Sequence, residues 1–375
     1  MRAAPLRSLV PWSAAVAVGG VVVAVVVATA TARPESPAPS ARRGAAATTP
    51  WPAMPGRLSE TGLWADPTSH RLADDVLTYT PQYPLWTDGA TKRRFLRLPP
   101  GASIDASDPD RFEFPVGTEL WKEFSFGRRV ETRRIVRTPD GWVFATYRWD
   151  DDGRDATLVA PEGARGVAEI APGVRHDLPS RSDCRACHGA GRNVVLGVGA
   201  LQLSPDRDPL APRAETPAAG DVDLAVLVER GLVRGLPPTL RERAPRVSAA
   251  TPRGRAALGY LHGNCGACHD AVGALAPLGL VLAQPARGGS DASVASLLGR
   301  AGRFRTERGD VRVTPGDPAH STLLARLRSR SPLRAMPPLG TRLVDEDAVA
   351  LLDAWVREDL AGGGLASAPA ASAGR

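Results

Sequence analysis

Two short stretches of sequence, "SDCRACHG" at residues 182–189 and "YLHGNCGACHD" at residues 260–270, contain all four cysteines of this 375-residue chain. In each stretch two residues separate the cysteines, and a histidine follows the second cysteine directly. The first motif consists of Cys184, Cys187 and His188, and the second of Cys265, Cys268 and His269. The interpretation of the second half of the chain depends on this repeated spacing.

The pattern C-x-x-C-H is the attachment signature of c-type haem. Two thiols at this spacing add to the vinyl groups at one edge of a porphyrin, and the histidine binds the iron as proximal ligand. Zinc ribbons also pair C-x-x-C units, but at about 15–20 residues, whereas Cys187 and Cys265 are 78 positions apart. A thioredoxin-like dithiol requires a βαβ setting, which neither motif has. The sequence therefore predicts two covalently bound haem c groups.

The distal ligand of the second haem is predicted from the methionines. The chain has three, and Met1 and Met54 precede both motifs. Met336 follows His269 by 67 positions, in "RAMPPLG", where two prolines favour an extended loop. We expect Met336 to bind the iron of haem two, since methionine is a common distal ligand in electron-transfer cytochromes. The alternative is a methionine that fills a gap in the core.

Haem one departs from this pattern, because no methionine lies between Cys184 and Met336. Its sixth ligand is then a histidine, another group, water or nothing. His176, twelve residues before His188, is the nearest spare histidine and is our candidate. The alternative is a surface histidine beside Asp177.

The N-terminus indicates export. Arg2 and Arg7 precede an uncharged apolar run at residues 14–30. Small residues at the end of this run and just after it offer cleavage sites. This is the layout of a secretory signal peptide, and the alternative is an uncleaved membrane anchor. We therefore expect a periplasmic or otherwise extracytoplasmic protein, cleaved or tethered to a membrane. The net charge of +7 forms no basic stripe with interleaved aromatics, so no nucleic-acid partner is predicted.

The sequence pattern changes near Gly173. Before it, short aromatic and branched runs are bounded by Pro and Gly, and a turn at Pro139, Asp140 and Gly141 joins two strands. After it, helical periods dominate, and Thr251 and Asp345 are predicted N-caps. We predict an α+β multidomain protein, with an N-terminal all-β, sandwich-like domain followed by helical c-type cytochrome units. Its predicted segments are a signal peptide or N-terminal anchor (1–32), a Pro/Ala-rich linker (33–57), the β domain (58–173), a first haem segment (174–220), a second haem domain (221–360) and a disordered tail (361–375).

The C-terminal part resembles class I cytochrome c in "GYLHGNCGACH", "VTPGDPAHSTLLARL", "RAMPPLG" and "LLDAW". The upstream part, with "YPLWTDGATKRRF" and "FEFPVGTELWKEFSF", is similar to exported dihaem c-type cytochromes with an N-terminal β domain. The resemblance covers about residues 57 to 360. It implies that the helix before the second motif packs across the C-terminal helix and that Met336 is the distal ligand of haem two. It implies an architecture more than a reaction.

The favoured function is a carrier of single electrons between redox partner proteins. The first alternative is a dihaem enzyme of the peroxidase type, in which haem one has an open site. The second alternative is a binding module formed by the aromatic-rich β domain, with accessory haems.

Overall fold

The computed structural model describes residues 53–361, all of which belong to one compact unit. The predicted signal peptide or anchor, most of the predicted linker and the tail from residue 362 lie outside the described residues. Within residues 53–361, no helix has the length and apolar character needed to cross a membrane.

Mixed α and β structure, with a β-rich N-terminal region, is confirmed. The strands are β1 (Trp64–Asp66), β2 (Arg71–Leu72), β3 (Leu77–Thr78), β4 (Thr91–Arg97), β5 (Ile104–Asp105), β6 (Glu119–Phe126), β7 (Arg128–Thr138), β8 (Gly141–Trp149), β9 (Ala156–Leu158), β10 (Ala164–Ala171), β11 (Val174–Leu178), β12 (Val233–Arg234), β13 (Ala301–Thr306) and β14 (Gly309–Val311). The α-helices are α1 (Arg181–His188), α2 (Leu224–Glu229), α3 (Pro238–Glu242), α4 (Pro252–Asn264), α5 (Asp291–Leu297), α6 (Thr322–Arg328) and α7 (Glu346–Ala354).

The largest sheet has six antiparallel strands in the order β3-β4-β6-β7-β8-β9. Its central hairpin of β7 and β8 closes with Thr138 opposite Gly141, so Pro139 and Asp140 make the turn. Gly141 has a φ of 136°, a region that side-chain-bearing residues rarely adopt. The predicted pair of strands and its turn are confirmed.

One face of this sheet, which we call the helical face, carries Leu96, Leu120 and Ile135. These side chains join a hydrophobic cluster that extends into the helical part of the chain, where it includes Leu258 and Leu352. Because side chains alternate along a strand, the residues between them point to the opposite side. The helices therefore pack directly on the sheet.

The opposite face, the N-terminal face, carries Phe95, Trp121 and Tyr147 in a second buried cluster. A 3-10 turn (Leu58–Thr61) and the β1–β2 hairpin cover it. The predicted sandwich is therefore wrong, because the alternating aromatics fill both faces of one sheet, and no second large sheet covers either face within residues 53–361.

The folded unit also starts earlier than predicted. The hydroxyl of Tyr147 donates to the carbonyl oxygen of Pro55 at 3.1 Å. The guanidinium of Arg57 pairs with Asp150 at 2.6 Å and with Asp155 at 3.0 Å. The end of the predicted linker 33–57 is thus part of the β-rich layer.

The helical part begins with its predicted caps. The side chain of Thr251 accepts a hydrogen bond from the backbone of Gly254 at the start of α4, and Asp345 caps α7 in the same way. A π-helical turn (Trp355–Asp359) continues α7. As the resemblance implied, α4 contacts α7 and this turn.

The predicted boundaries at 173 and 220 do not separate folded units. Strand β11 begins at Val174 and pairs with β10, and β12 pairs in parallel with β5, where Val233 lies opposite Ile104. The cluster on the helical face spans both halves of the chain. Long-range pairing thus joins the β-rich and helical regions into one unit.

Candidate functional site

The first motif lies on α1, directly after the β10–β11 hairpin. The hydroxyl of Ser180 accepts a hydrogen bond from the backbone of Asp183, and the Asp183 carboxylate accepts one from the backbone of Ser180. This capping box starts a helix of eight residues. Cys184, Cys187 and His188 then fall at helical positions i, i+3 and i+4, which share one face.

The ring of His188 is oriented by its surroundings. Nδ1 donates to the carbonyl oxygen of Val194 at 2.6 Å, and the ring centroid lies 5.2 Å from that of Phe144. Burial, together with the positive charges of Lys122 and Arg133, lowers the pKa of His188 to about 4. A neutral ring that carries its proton on Nδ1 has its lone pair on Nε2, the atom that can bind a metal.

The second motif follows the end of α4. The backbone N–H of Cys265 donates to the carbonyl of Leu261, and that of His269 donates to the carbonyl of Cys265 at 2.8 Å. The motif is therefore one further turn of chain. An added Cβ at Gly259 would lie 2.0 Å from the ring of Tyr83, so α4 needs this glycine to contact the β-rich layer closely.

His269 is buried, and its Nδ1 has no hydrogen-bond partner within residues 53–361. Its backbone carbonyl accepts from the N–H of Leu282 at 2.7 Å. Burial lowers the pKa of His269, and the charges of Arg326 and Arg312 add to this effect. This ring, like that of His188, is neutral and able to bind a metal.

The loop that follows the first motif contacts the second motif along what we call the seam, residues 190–192 against residues 267–274. The N–H of Ala274 donates to the carbonyl of Ala190 at 3.0 Å, and the N–H of Arg192 donates to the carboxylate of Asp270 at 3.0 Å. An added Cβ at Gly191 would lie 2.2 Å from the carbonyl oxygen of Ala267. The backbones can approach this closely only because Gly191 has no side chain.

The four cysteines are free thiols. Burial raises the pKa of Cys184 to about 11 and that of Cys265 to about 12. The pKa of Cys268 is raised by burial and, to a smaller extent, by the charge of Cys187 on the other motif. The cysteines of the two motifs therefore lie close enough to interact electrostatically.

The residues present fit haem groups. Each motif provides two thiols and a neutral imidazole in one turn of chain, and the orphaned Nδ1 of His269 marks a site whose polar groups are incomplete in the protein alone. Within residues 53–361, no group of three or more His, Cys, Asp or Glu side chains is arranged to hold a metal ion. A haem iron needs only one or two protein ligands, because the porphyrin supplies the others.

Met336 lies in a loop tied to α6. Its backbone N–H donates to the carbonyl of Arg326 at 3.2 Å, and its own carbonyl accepts from Arg330 at 3.4 Å. The same Arg326 contributes to the lowered pKa of His269. Arg326 of α6 therefore binds the backbone of Met336 and also lies near enough to His269 to act on its pKa, although 67 positions separate Met336 from His269.

His176 lies on β11 and is buried, not at the surface. Its Nε2 is 2.9 Å from the carboxylate of Glu131, and its ring lies 5.1 Å from that of Phe126. The structure therefore gives His176 a carboxylate partner on the sheet. Its assignment as sixth ligand of haem one stays a prediction.

The other spare histidines also have partners. Nε2 of His70 bonds to the carbonyl of Arg154 at 2.8 Å, and Nδ1 of His262 accepts from the backbone of Gln284 at 3.0 Å. His320 pairs with Asp317 at 2.6 Å on the surface. The ring of His70 packs against Trp64 and Trp149, two tryptophans of the N-terminal cluster, so it lies on the far side of the sheet from His188.

Sequence reasoning missed a group of cations on the helical face, next to the first motif. The register places Arg94, Lys122 and Arg133 side by side on three adjacent strands, and we call this group the cationic row. Lys92 stands two residues before Arg94 on the same face. A signal was present, because Lys92 and Lys122 are the only lysines of the chain and both fall in the predicted β domain.

Comparisons with known proteins place the chain in no group. No family model matches it. No curated protein and no solved structure matches it either.

Proposed function

We propose that this protein is a dihaem c-type cytochrome that carries single electrons between redox partner proteins. Cys184 and Cys187 would hold haem one, with His188 as its proximal ligand. Cys265, Cys268 and His269 would do the same for haem two. The haem supplies reversible one-electron chemistry of its iron, while the chain attaches it, orients its histidine ligand and excludes water.

The observation that carries the proposal is the seam. Thioether bonds would hold one edge of each porphyrin at its motif, so the seam would keep the two haems near each other. Gly191 and Gly273 have no room for a side chain at this contact, where added Cβ atoms would lie 2.2 and 2.4 Å from backbone oxygens. Two haems held on either side of this contact would be placed for electron transfer from one to the other within the chain.

Further features fit the same function. The position of Met336 at α6 supports its role as distal ligand of haem two, since methionine ligation raises the potential into a range suited to electron transfer. The apolar N-terminal run with its preceding arginines favours export, which agrees with covalent haem attachment outside the cytoplasm. The partners would then be extracytoplasmic donors and acceptors.

The test is expression of the full chain in a host with cytochrome c maturation machinery. Intact mass and pyridine haemochrome absorbance should give two covalent haems per chain. The double variants C184S/C187S and C265S/C268S should each lose at least the haem at their own motif. A protein without haem, or one that holds zinc instead, would refute the proposal.

A second measurement separates the carrier from a peroxidase-type enzyme. The oxidised carrier should show two low-spin haems by EPR, and the reduced carrier should transfer electrons to a small oxidised cytochrome without consuming peroxide. One high-spin haem together with peroxide turnover would favour the enzyme.

A further inference from the structure

Lys122 lies on the helical face of the sheet, two strands away from the part of β8 that borders the first motif. In the cationic row Arg133 lies between Lys122 and Thr146 of β8, and Thr146 lines a small cavity together with Cys184. Neighbouring strands are about 4.8 Å apart, so the α-carbons of Lys122 and Thr146 are separated by roughly 10 Å. A haem attached at Cys184 and lying over this part of the sheet is within reach of a four-carbon side chain from Lys122.

Both arginines of the row are neutralised by carboxylates. Arg94 is paired with Glu215 at 2.6 Å. Arg133 is paired with the fully buried Glu131, also at 2.6 Å. Their guanidinium groups are therefore engaged and, being permanently protonated, have no lone pair for a metal.

The lysines differ from the arginines and from each other. The Nζ of Lys92 donates to the carbonyl of Ala90 at 3.1 Å. The Nζ of Lys122 has no hydrogen bond and no ion pair within residues 53–361, and its contact is the ring of Phe124, 5.1 Å from the centroid. Lys122 is thus an amine without a polar partner, half-buried beside the first motif.

The lowered pKa of this amine makes it easier to lose the proton that a metal ligand must give up. Burial holds the pKa of Lys122 well below its ordinary value, and the charges of Arg94, Lys92 and Arg133 lower it further. A neutral amine has a free lone pair on nitrogen, which an ammonium group lacks.

The residues that would compete with Lys122 are engaged elsewhere. The sulfur of Met54 accepts from Arg134 at 3.3 Å on the N-terminal side, and Met336 is tied to α6. His176 has the carboxylate of Glu131 at its Nε2. Of the methionines and histidines in the described part of the chain outside the motifs, none is placed free beside His188.

We propose that the Nζ of Lys122 is the sixth ligand of haem one. This inference rests on the proposed function, because it requires a haem at Cys184 and Cys187. It makes haem one a histidine–amine site and haem two a histidine–methionine site, so the two haems would differ in potential. Haem two would then be reduced preferentially, because its methionine ligand raises its potential.

The test uses three variants of the full-length holoprotein. In Lys122→Ala, one of the two haems should change from low to high spin, and carbon monoxide should bind to half of the reduced haem. In Lys122→Met, haem one should remain low-spin but gain the near-infrared signature and the higher potential of methionine ligation. Lys92→Ala, the matched control on the same face, should leave both haems low-spin.

Each outcome of these measurements supports or contradicts the role of Lys122 as a ligand. A fully low-spin Lys122→Ala protein would overturn the inference, as expected if Lys122 instead pairs with a haem propionate. Should that variant fail to accumulate, near-infrared magnetic circular dichroism of the wild-type protein decides, since amine, bis-histidine and methionine ligation give different bands. A wild-type protein that carries no haem would contradict the proposed function, whereas two haems without an amine signature would contradict only the role of Lys122.

Discussion

The seam makes a quantitative prediction for Gly191→Ala. The added Cβ would lie 2.2 Å from the carbonyl oxygen of Ala267 and 2.8 Å from the carboxylate of Asp270. Ordinary contact begins near 3.4 Å, so the two loops must separate by roughly 1 Å. Overpacking of this kind costs about 1–3 kcal/mol, and loss of the hydrogen bond from the backbone of Arg192 to Asp270 adds about 1.5–3 kcal/mol.

We therefore expect Gly191→Ala to lower the free energy of unfolding by about 2.5–6 kcal/mol. Urea denaturation of the holoprotein, followed by far-UV circular dichroism, measures this change. The comparison requires that the slope of the unfolding free energy against urea concentration is the same as in the wild type. Gly199→Ala is the matched control, because an added Cβ there meets no atom within 4 Å and its φ is ordinary. We expect the control to change stability by no more than about 0.5 kcal/mol.

The same variant tests electron transfer between the haems. Separation of the loops moves the porphyrin edges apart, so electrons should equilibrate between the haems more slowly after a laser-induced reduction pulse. Suppose instead that Gly191→Ala unfolded at the same urea concentration as Gly199→Ala and that electrons equilibrated between its haems at the wild-type rate. This result would contradict the close contact of the two motifs.

Three further predictions follow from single residues. Met336→Ala should lower the potential of haem two and leave that of haem one unchanged in protein-film voltammetry; two unaltered potentials would show that Met336 is not a ligand. His176→Phe should destabilise the fold by about 1–3 kcal/mol, because Glu131 loses one of its buried partners, with the EPR spectrum of haem one unchanged; a high-spin haem one would instead identify His176 as its ligand. Burial raises the pKa of Glu131, but Arg133 and His176 outweigh burial and hold it below the ordinary value. The ionised carboxylate therefore stabilises the fold above about pH 4.3, and this contribution is lost as the pH falls below that value. In acid titrations followed by circular dichroism, Glu131→Gln should thus be less stable than wild type at neutral pH and lose less stability between about pH 5 and pH 3; equal acid sensitivity of both proteins would contradict the buried ion pair.

Local features were predictable from the sequence because they depend on neighbouring residues. The turn before Gly141 requires a backbone conformation that glycine adopts easily, and the N-caps Thr251 and Asp345 are read from residues within one turn of their helices. The geometry around Cys184 likewise follows from the capping box that starts α1.

Features that depend on long-range pairing could not be predicted in the same way. The parallel pairing of Val233 with Ile104 joins residues more than a hundred positions apart, and no local pattern indicates it. The seam is similar, since Gly191 is an ordinary loop glycine until Ala267 is placed against it. The cationic row depends on strand register, because a slip of one residue would place these side chains on the other face of the sheet.

The merged core bears on the role of the β-rich region. An independent binding module would keep its fold when excised, but residues 58–173 share the helical-face cluster with residues from α4 and α7, and β5 takes β12 as its partner. Excision would expose Leu96 and Leu120 to water and leave β5 unpaired with β12. The position of the cationic row beside the first motif suggests an electrostatic role for the sheet. The sheet lies next to the first motif, so in the proposed dihaem protein the charges of the row would act on the potential of haem one.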